Sequence, residues 1–312
     1  MRTMKLSASH LEGVCELWNR EIGSDFPLRS RLLYQNSLNH PDFLSEGSFV
    51  VEGTSSDYTV GVVISKVQQL GKGYISVLLV DSSYRNLGIG GTLLKLAEKA
   101  IKDAGVSSIS LGGDSGHFFP GVPSQFMNVK RWLENRGFNQ RGNTYDLLGD
   151  FRDKVIVEDD IGPEVRLSVA EEADLEDLLA FLNLYFPGRW EESTNRYVTS
   201  GGTGREFILM RKLGKIIGFC RINDEYSPIL AGNQFWSPCF QERCGGIGPL
   251  GIAAPFRGNG YGKAILLAGM RVLQERNHHL MVIDWTSEVD FYAKTGFSIW
   301  KSYQLYAKED YS

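Results

Sequence analysis

The sequence contains no apolar run approaching the roughly 20 residues that a membrane span needs. Its start, MRTMKL, leads into polar residues rather than the apolar centre of an export signal, so a cytoplasmic protein is expected. Cysteine is scarce. Cys15, Cys220, Cys239 and Cys244 form no CxxC pair, and no histidine follows them at zinc-like spacing. Reduced thiols and no metal are the expectation, with a Cys239–Cys244 disulfide or metal pair as the alternative. A large charge of one sign is also missing. The net charge of −4 argues against a nucleic-acid surface and is compatible with a cationic or amine substrate, although many unrelated enzymes share it.

What is present is an ordinary globular composition, 42% hydrophobic and 22% charged, in 312 residues. That length exceeds one ordinary mixed core, so two domains are expected. An internal repeat supports this reading. The segment VDSSYRNLGIGG, beginning at Val80, recurs as IAAPFRGNGYGK, beginning at Ile252. Arg85, Gly88 and Gly90 match Arg257, Gly260 and Gly262 at constant spacing. Each copy follows a strand-like apolar run, at 74–80 and 247–253, and precedes an amphipathic helix, at 91–104 and 263–275.

A second echo lies downstream, where RWLENRGF ending at Phe138 matches DFYAKTGF ending at Phe297. The first half carries extra residues between its two signals, placed around 112–125 in GGDSGHFFPGVP. Each half otherwise follows one plan. A short strand (4–7, 165–168) leads to helices, then a hairpin (49–67, 206–223), then the motif strand. The polar stretch 150–163 reads as a linker. The expected domains are 1–152 and 163–312, each with a mixed sheet.

A strand, then Arg-x-x-Gly-x-Gly, then a helix makes a main-chain cradle for phosphate. The helix entrance offers unpaired N–H groups and the positive end of the dipole, and glycines allow close approach and positive φ. Other phosphate loops fit poorly. A Walker loop would need glycine at Arg257 and Ser or Thr at Ala264; a dinucleotide fingerprint would need glycine where Leu93, Lys263 or Ile265 stand.

The pattern resembles the GNAT acyltransferase superfamily, over nearly the whole chain counted as two domains. That resemblance implies an α/β (α+β) fold of two tandem GNAT domains, each a mixed, mostly antiparallel sheet flanked by helices. It implies acetyl-CoA as cosubstrate, with the loop amides on the pyrophosphate. In the first half the implied CoA residues are Val80, Asp81, Arg85, Asn86, Leu87, Gly88, Ile89, Gly90 and Gly91. In the second they are Ile252, Ala253, Arg257, Gly258, Asn259, Gly260, Tyr261, Gly262 and Lys263. The motif strand is expected to splay from its neighbour. Val80 and Asp81, or Ile252 and Ala253, would then lie beside the acyl-pantetheine arm, with one N–H polarising the thioester carbonyl.

In many members of that family a tyrosine in Tyr-x-x-x-Gly-Phe protonates the leaving thiolate. Tyr292 matches it in the second half, whereas the first half has Leu133. The C-terminal domain is therefore expected to be catalytic, and the N-terminal one structural, substrate-shaping or a second CoA site. Asp284, at the end of a strand-like run, is the leading candidate to bind or deprotonate the amine. A structural carboxylate is the alternative. Asp224 and Glu225 are weaker candidates that fit a solvated loop, and Cys244 lacks a histidine partner for covalent catalysis.

Aromatic residues suggest a sugar-shaped acceptor. His117, Phe118 and Phe119 in one loop, Trp236 in another, and Trp285 beside Asp284 are the expected substrate contacts. The FFPGVP insertion and the segment around Asp284, Trp285, Phe291 and Tyr292 resemble tandem-GNAT glucosamine or glucosaminide N-acetyltransferases. The expected acceptor is therefore a small primary amine, foremost an amino sugar, taken by a monomer or homodimer. The alternatives are a protein N-terminus, a polyamine or a mycothiol-synthase-like acceptor, or a non-catalytic acyl-CoA sensor.

Overall fold

A computed structural model describes the chain except residues 54–57, 69–70, 158 and 310–312. The chain divides into two compact units, Met1–Thr144 with Lys301–Ser312, and Tyr145–Trp300. The unit boundaries therefore fall inside two strands, and the last strand contributes most of its length to the first unit.

The first unit contains β1 (Arg2–Lys5), α1 (Leu11–Ile22), α2 (Ser30–Asn36), β2 (Phe49–Glu52), β3 (Thr59–Gln68), β4 (Lys72–Val80), α3 (Ile89–Asp103), β5 (Ser108–Leu111), β6 (Val122–Pro123) and α4 (Met127–Glu134). β7 (Asn139–Asp150) runs from the first unit into the second. The second unit continues with β8 (Val165–Val169), α5 (Leu175–Tyr185), α6 (Arg189–Thr199), β9 (Phe207–Lys212), β10 (Lys215–Asn223), β11 (Cys244–Ile252), α7 (Tyr261–Glu275), β12 (Leu280–Thr286) and α8 (Val289–Ala293). β13 (Ser298–Glu309) closes the chain.

In the first unit β1–β4 form an antiparallel meander, β5 pairs parallel to β4, and β13 pairs antiparallel to β5 and β6. In the second unit β8–β11 repeat the meander, β12 pairs parallel to β11, and β7 pairs antiparallel to β12. These are the mixed, mostly antiparallel sheets flanked by helices that the sequence implies.

The repeat helices are amphipathic for a packing reason. α3 turns Leu93, Leu94, Ala97 and Ile101 into a core with Val60, Val63, Ile75 and Ile109. α7 is more deeply covered, with every residue from Ala264 to Met270 buried against β9–β12. Side chains of this size contribute roughly 1.5–3 kcal/mol each when fully buried, so the two helices are fixed and their N-terminal ends are presented as rigid edges.

Candidate active site

β11 and β12 share a short ladder. Cys244, Gly245 and Gly246 pair with Leu280, Met281 and Val282, and the register then stops although both strands continue. The result is a fork. On its other edge β11 stays paired with β10, with an irregularity between Cys220 and Ile222 opposite Gly248 and the cis peptide to Pro249. A proline has no N–H for a ladder, so the pairing is broken there.

The amides at the fork sort by strand alternation. Gly218 pairs with Ile252, and the N–H of Ala253 donates to the Ile217 carbonyl at 2.9 Å. That pattern makes Gly218 and Ile252 a non-hydrogen-bonded pair, which turns the Ile252 amide away from β10 and toward the fork. The first unit repeats this geometry. Asp81 N–H donates to the Val60 carbonyl at 2.9 Å, leaving Val80 facing its fork. Of the four strand-end residues, Ala253 and Asp81 therefore spend their amides in the sheet, and Ile252 and Val80 hold theirs toward the opening.

The loops after these strands enter their helices through glycines of positive φ. Gly260 caps α7 with φ 78°, and Gly88 caps α3 with φ 83°. Neither helix has a side-chain cap, and the first helical acceptor bonds are Ala264 N–H to Gly260 and Thr92 N–H to Gly88. The N–H groups of Tyr261, Gly262 and Lys263, and of Ile89, Gly90 and Gly91, precede those bonds at the positive ends of two helices. Gly258 and Asn86 also have positive φ, and Leu87 is exposed. Arg257 and Arg85 turn back, Nε donating to the carbonyls of Ile252 at 2.9 Å and Val80 at 3.1 Å, which fixes each loop to the end of its strand. Asn259 donates to the Phe256 carbonyl at 3.1 Å. Lys263 Nζ contacts Asp159 at 3.0 Å. These uncapped entrances suit a diphosphate, the group CoA presents.

Asp284 stands on β12 where the fork opens. Burial pushes its carboxyl up, against Arg189, Arg221 and the Asn233 amide, which favour the charged form. Arg221 is buried; its Nε donates to Asn223 Oδ1 at 3.1 Å and its Nη1 to Ser193 Oγ at 3.0 Å. Asn223 in turn donates to Asn233 Oδ1 at 3.1 Å, and Asn233 donates to the Gly248 carbonyl at 3.2 Å. Gly246 is required by this network, because a Cβ there would lie 2.0 Å from Asn233 Oδ1. Tyr292 on α8 lies among Phe291 and Phe297. Burial raises its phenol well above the ordinary tyrosine range, with Cys220 and Asp284 adding to the effect. It is a protonated hydroxyl at neutral pH.

The first unit lacks both groups. Counting on from the paired residues, Gly112 occupies the place of Asp284 and Leu133, buried, that of Tyr292. Its fork is laced by side chains. Asp114, just beyond β5, accepts from Ser76 of β4 at 2.8 Å and from Lys66 of β3, with both ends of the ion pair buried. Gly113 N–H donates to the Phe119 carbonyl at 2.9 Å, and a Cβ on Gly112 would strike that same oxygen at 2.4 Å.

Several sequence expectations meet a different environment. Phe118 and Phe119 are buried against Trp18 and Phe26, with Trp18 and Phe119 stacked at 5.3 Å, and His117 is buried beside them. Trp236 is buried against Phe235. These rings pack the interior. Trp285 is half-buried, and the Arg189 guanidinium lies 3.7 Å from its ring centroid. Asp224 is no solvated loop residue. It is buried and forked by Arg205 at 3.0 and 2.7 Å. Glu225 pairs with His278 at 2.6 Å and Arg243 at 3.2 Å. All four cysteines are free. Among the described residues no group of three His, Cys, Asp or Glu side chains could hold a metal, and no helix is long and apolar enough to cross a membrane.

Sequence reasoning missed Arg189, Arg221, Asn233 and Asp146. They reach Asp284 and Trp285 from α6, β10, a turn and β7, and no local motif marks them.

No curated protein matches the sequence. Among solved structures, a GCN5-related glucosamine N-acetyltransferase region of a fungal multi-domain GH3 beta-N-acetylglucosaminidase is 25% identical over 98% of this chain, with a TM-score of 0.88. The chain spans 38% of that solved chain's length. A GCN5-related N-acetyltransferase from Sphaerobacter thermophilus matches at 15% identity, TM-score 0.74, over 99% of this chain and 95% of its own. A tandem GNAT protein from the clavulanic acid biosynthesis pathway matches at 14% identity, TM-score 0.71, over 100% and 99%. These last two share the fold. The acetyltransferase (GNAT) family profile matches residues 11–118 and 175–297, once in each half. The chain therefore belongs to the GNAT acetyltransferase family, as a tandem of two such domains.

Proposed function

We propose that the second unit transfers an acetyl group from acetyl-CoA to the primary amine of an amino sugar, glucosamine or a glucosaminide. The observation that carries this reading is the juxtaposition in one fork of an exposed helix entrance, a strand amide at Ile252, the Asp284 carboxyl and the Tyr292 phenol. The cosubstrate supplies an activated acetyl thioester. Gly258, Gly260, Tyr261, Gly262 and Lys263 hold its pyrophosphate through main-chain N–H groups, and Ile252 N–H faces its acyl arm.

The residues then divide the proton work. A carboxyl lifted by burial is a better base than an ordinary aspartate, so Asp284 accepts a proton from the incoming ammonium. Tyr292 stays protonated across the neutral range and gives its proton to the departing sulfur, and the second proton that the nitrogen loses as the amide forms restores the phenol. Desolvation in the same fork raises the proton affinity of a thiolate, which favours that transfer. The first unit has the cradle but neither Asp284 nor Tyr292. It is a non-catalytic domain whose cradle, 85–91, takes CoA without turnover.

The amino-sugar acceptor is supported by the fungal glucosamine N-acetyltransferase region named above. Trp285 beside a carboxylate offers a partly exposed ring where a sugar face can stack. The test is release of free thiol from acetyl-CoA by the purified chain with glucosamine, a polyamine and an N-terminal peptide as acceptors. Release with glucosamine is expected. Release only with peptide or polyamine would overturn the acceptor, and binding of acetyl-CoA without release would overturn the enzymatic reading in favour of a sensor.

A further inference from the structure

Trp285 is held in an unusual way. Its φ is 46°, a conformation costly for a bulky side chain. The β12–β7 register breaks between Ile283 and Thr286, which releases residues 284 and 285 from the ladder. The freed Trp285 N–H donates to Asp146 Oδ1 at 3.0 Å. One face of the indole then carries Arg189, whose guanidinium carbon lies 3.7 Å from the ring centroid. Arg189 is the first residue of α6, and it follows Gly188, whose φ of 96° turns the chain into the helix. It is exposed, unlike Arg221.

We propose that Arg189 is a positioning residue for acetyl transfer, clamping Trp285 in the strained turn and keeping the neighbouring Asp284 a carboxylate aimed into the fork. This rests on the reading that the second unit is an acetyltransferase with Asp284 as base. One guanidinium seats the ring that immediately follows Asp284, so the direction of Asp284 depends on that stack. The electrostatics agree. The groups facing Asp284 are Arg189 from α6, Arg221 from β10, the Asn233 amide from its turn and the Tyr292 phenol from α8. Arg189 is the leading charge opposing desolvation. Arg221 is locked by Ser193 and Asn223, so its charge is part of the scaffold. Arg189 stands exposed at the start of its helix, so its replacement leaves the core intact.

The test compares the chain with Arg189→Gln and Arg189→Lys. Removing the positive charge makes Asp284 harder to ionise, so the acidic limb of kcat/KM for the acceptor moves to higher pH. The expected movement is about 0.5–1 pH unit, below the full effect of an opposite charge within roughly 4–6 Å because Arg189 is exposed. Turnover at pH 6.5 falls severalfold, while KM for acetyl-CoA stays within about twofold. Arg189→Lys restores the position of the limb and not the full rate, since lysine lacks the planar stack.

A second readout needs no turnover. The Trp285 contribution to fluorescence, taken as the difference from Trp285→Phe, titrates with Asp284, and its midpoint rises in Arg189→Gln. The titration disappears in Asp284→Asn. An unmoved midpoint in Arg189→Gln, with an unmoved limb, would overturn the proposal. A moved midpoint in a chain that acetylates no amine would instead uphold the electrostatic coupling and overturn the enzymatic reading beneath it.

Discussion

The backbone N–H of Trp285 and the carboxylate of Asp146 meet at 3.0 Å, and this bond holds a tryptophan at a φ of 46°. Backbone held in such a region costs of order 1–3 kcal/mol and persists only where its surroundings dictate it. Asp146 is buried on β7, so the strained turn is braced from inside the sheet. Replacing Asp146 by alanine is expected to lower kcat at least tenfold while leaving CoA affinity within about twofold, because the bond it removes is to the Trp285 turn and not to the cradle amides that precede α7. Steady-state kinetics alongside calorimetry would check this. Equal losses in both would mean that the unit had simply lost its fold.

Tyr292 is the sharper probe of chemistry. Tyr292→Phe keeps the ring that packs beside Phe291 and Phe297 and removes only the hydroxyl. The expected loss in kcat is about 10²–10⁴-fold, the usual contribution of a positioned proton donor, with an unchanged melting temperature. A variant with full activity would remove Tyr292 from the mechanism.

How much of this site was legible follows from what a local pattern can carry. The two cradles, the strand before each and the helix after each are contiguous in sequence, and positive φ favours glycine at Gly88 and Gly260. They could be read directly. Tyr292 and Leu133 were readable because both precede the same Gly-Phe turn. The aromatic loops were ambiguous. Phe118, Phe119 and Trp236 have the composition of a sugar platform, and only their burial against Trp18, Phe26 and Phe235 assigns them to packing. Arg189 and Asp146 converge on one turn from distant strands and helices, which spacing cannot reveal. The same holds for β13, whose pairing with β5 places Tyr306 opposite Leu111.

The cradles give a direct test of ligand number. A Cβ on Gly260 or Gly88 would meet nothing within 4 Å, so alanine there suffers only from its backbone angle, about 1–2 kcal/mol. That strain shifts the helix-entrance amides. Gly260→Ala is expected to weaken CoA binding about tenfold or more and to abolish turnover at limiting cosubstrate. Gly88→Ala should spare turnover while removing a second binding event in calorimetry. If the native chain takes up one CoA and Gly88→Ala still takes up one, the first unit's cradle has no coenzyme role.

The thiols separate a direct transfer from a covalent one. Cys239 is exposed, whereas burial pushes the Cys244 thiol up to about 12 and also raises Cys15 and Cys220. Alkylation of the native chain at pH 7.5 should label Cys239 alone, as read by mass spectrometry, and Cys239→Ser should keep full activity. Accumulation of an acetylated cysteine during turnover would contradict direct attack.

The buried pair of Lys66 and Asp114 makes a prediction about stability and pH. Burial alone would lift the Asp114 carboxyl, but Lys66, with His117 and Ser76, outweighs it and holds the group below its ordinary value of 3.8. A depressed folded value contributes stability that is fully present above the unfolded value and lost as pH falls through the folded one. This pair should therefore support the first unit undiminished from neutral pH down to about pH 4, with its loss confined to more acid solution. Lys66→Met leaves a carboxylate buried without its cation, a cost of roughly 3–5 kcal/mol. It also reverses the sign. With burial dominant, the folded value rises above the unfolded one, so the variant gains stability as pH is lowered from 8 toward 5. Melting temperatures across that range would show a native chain that is flat on this account and a variant that climbs. Parallel curves would mean that the pair does not lace the fork of the first unit.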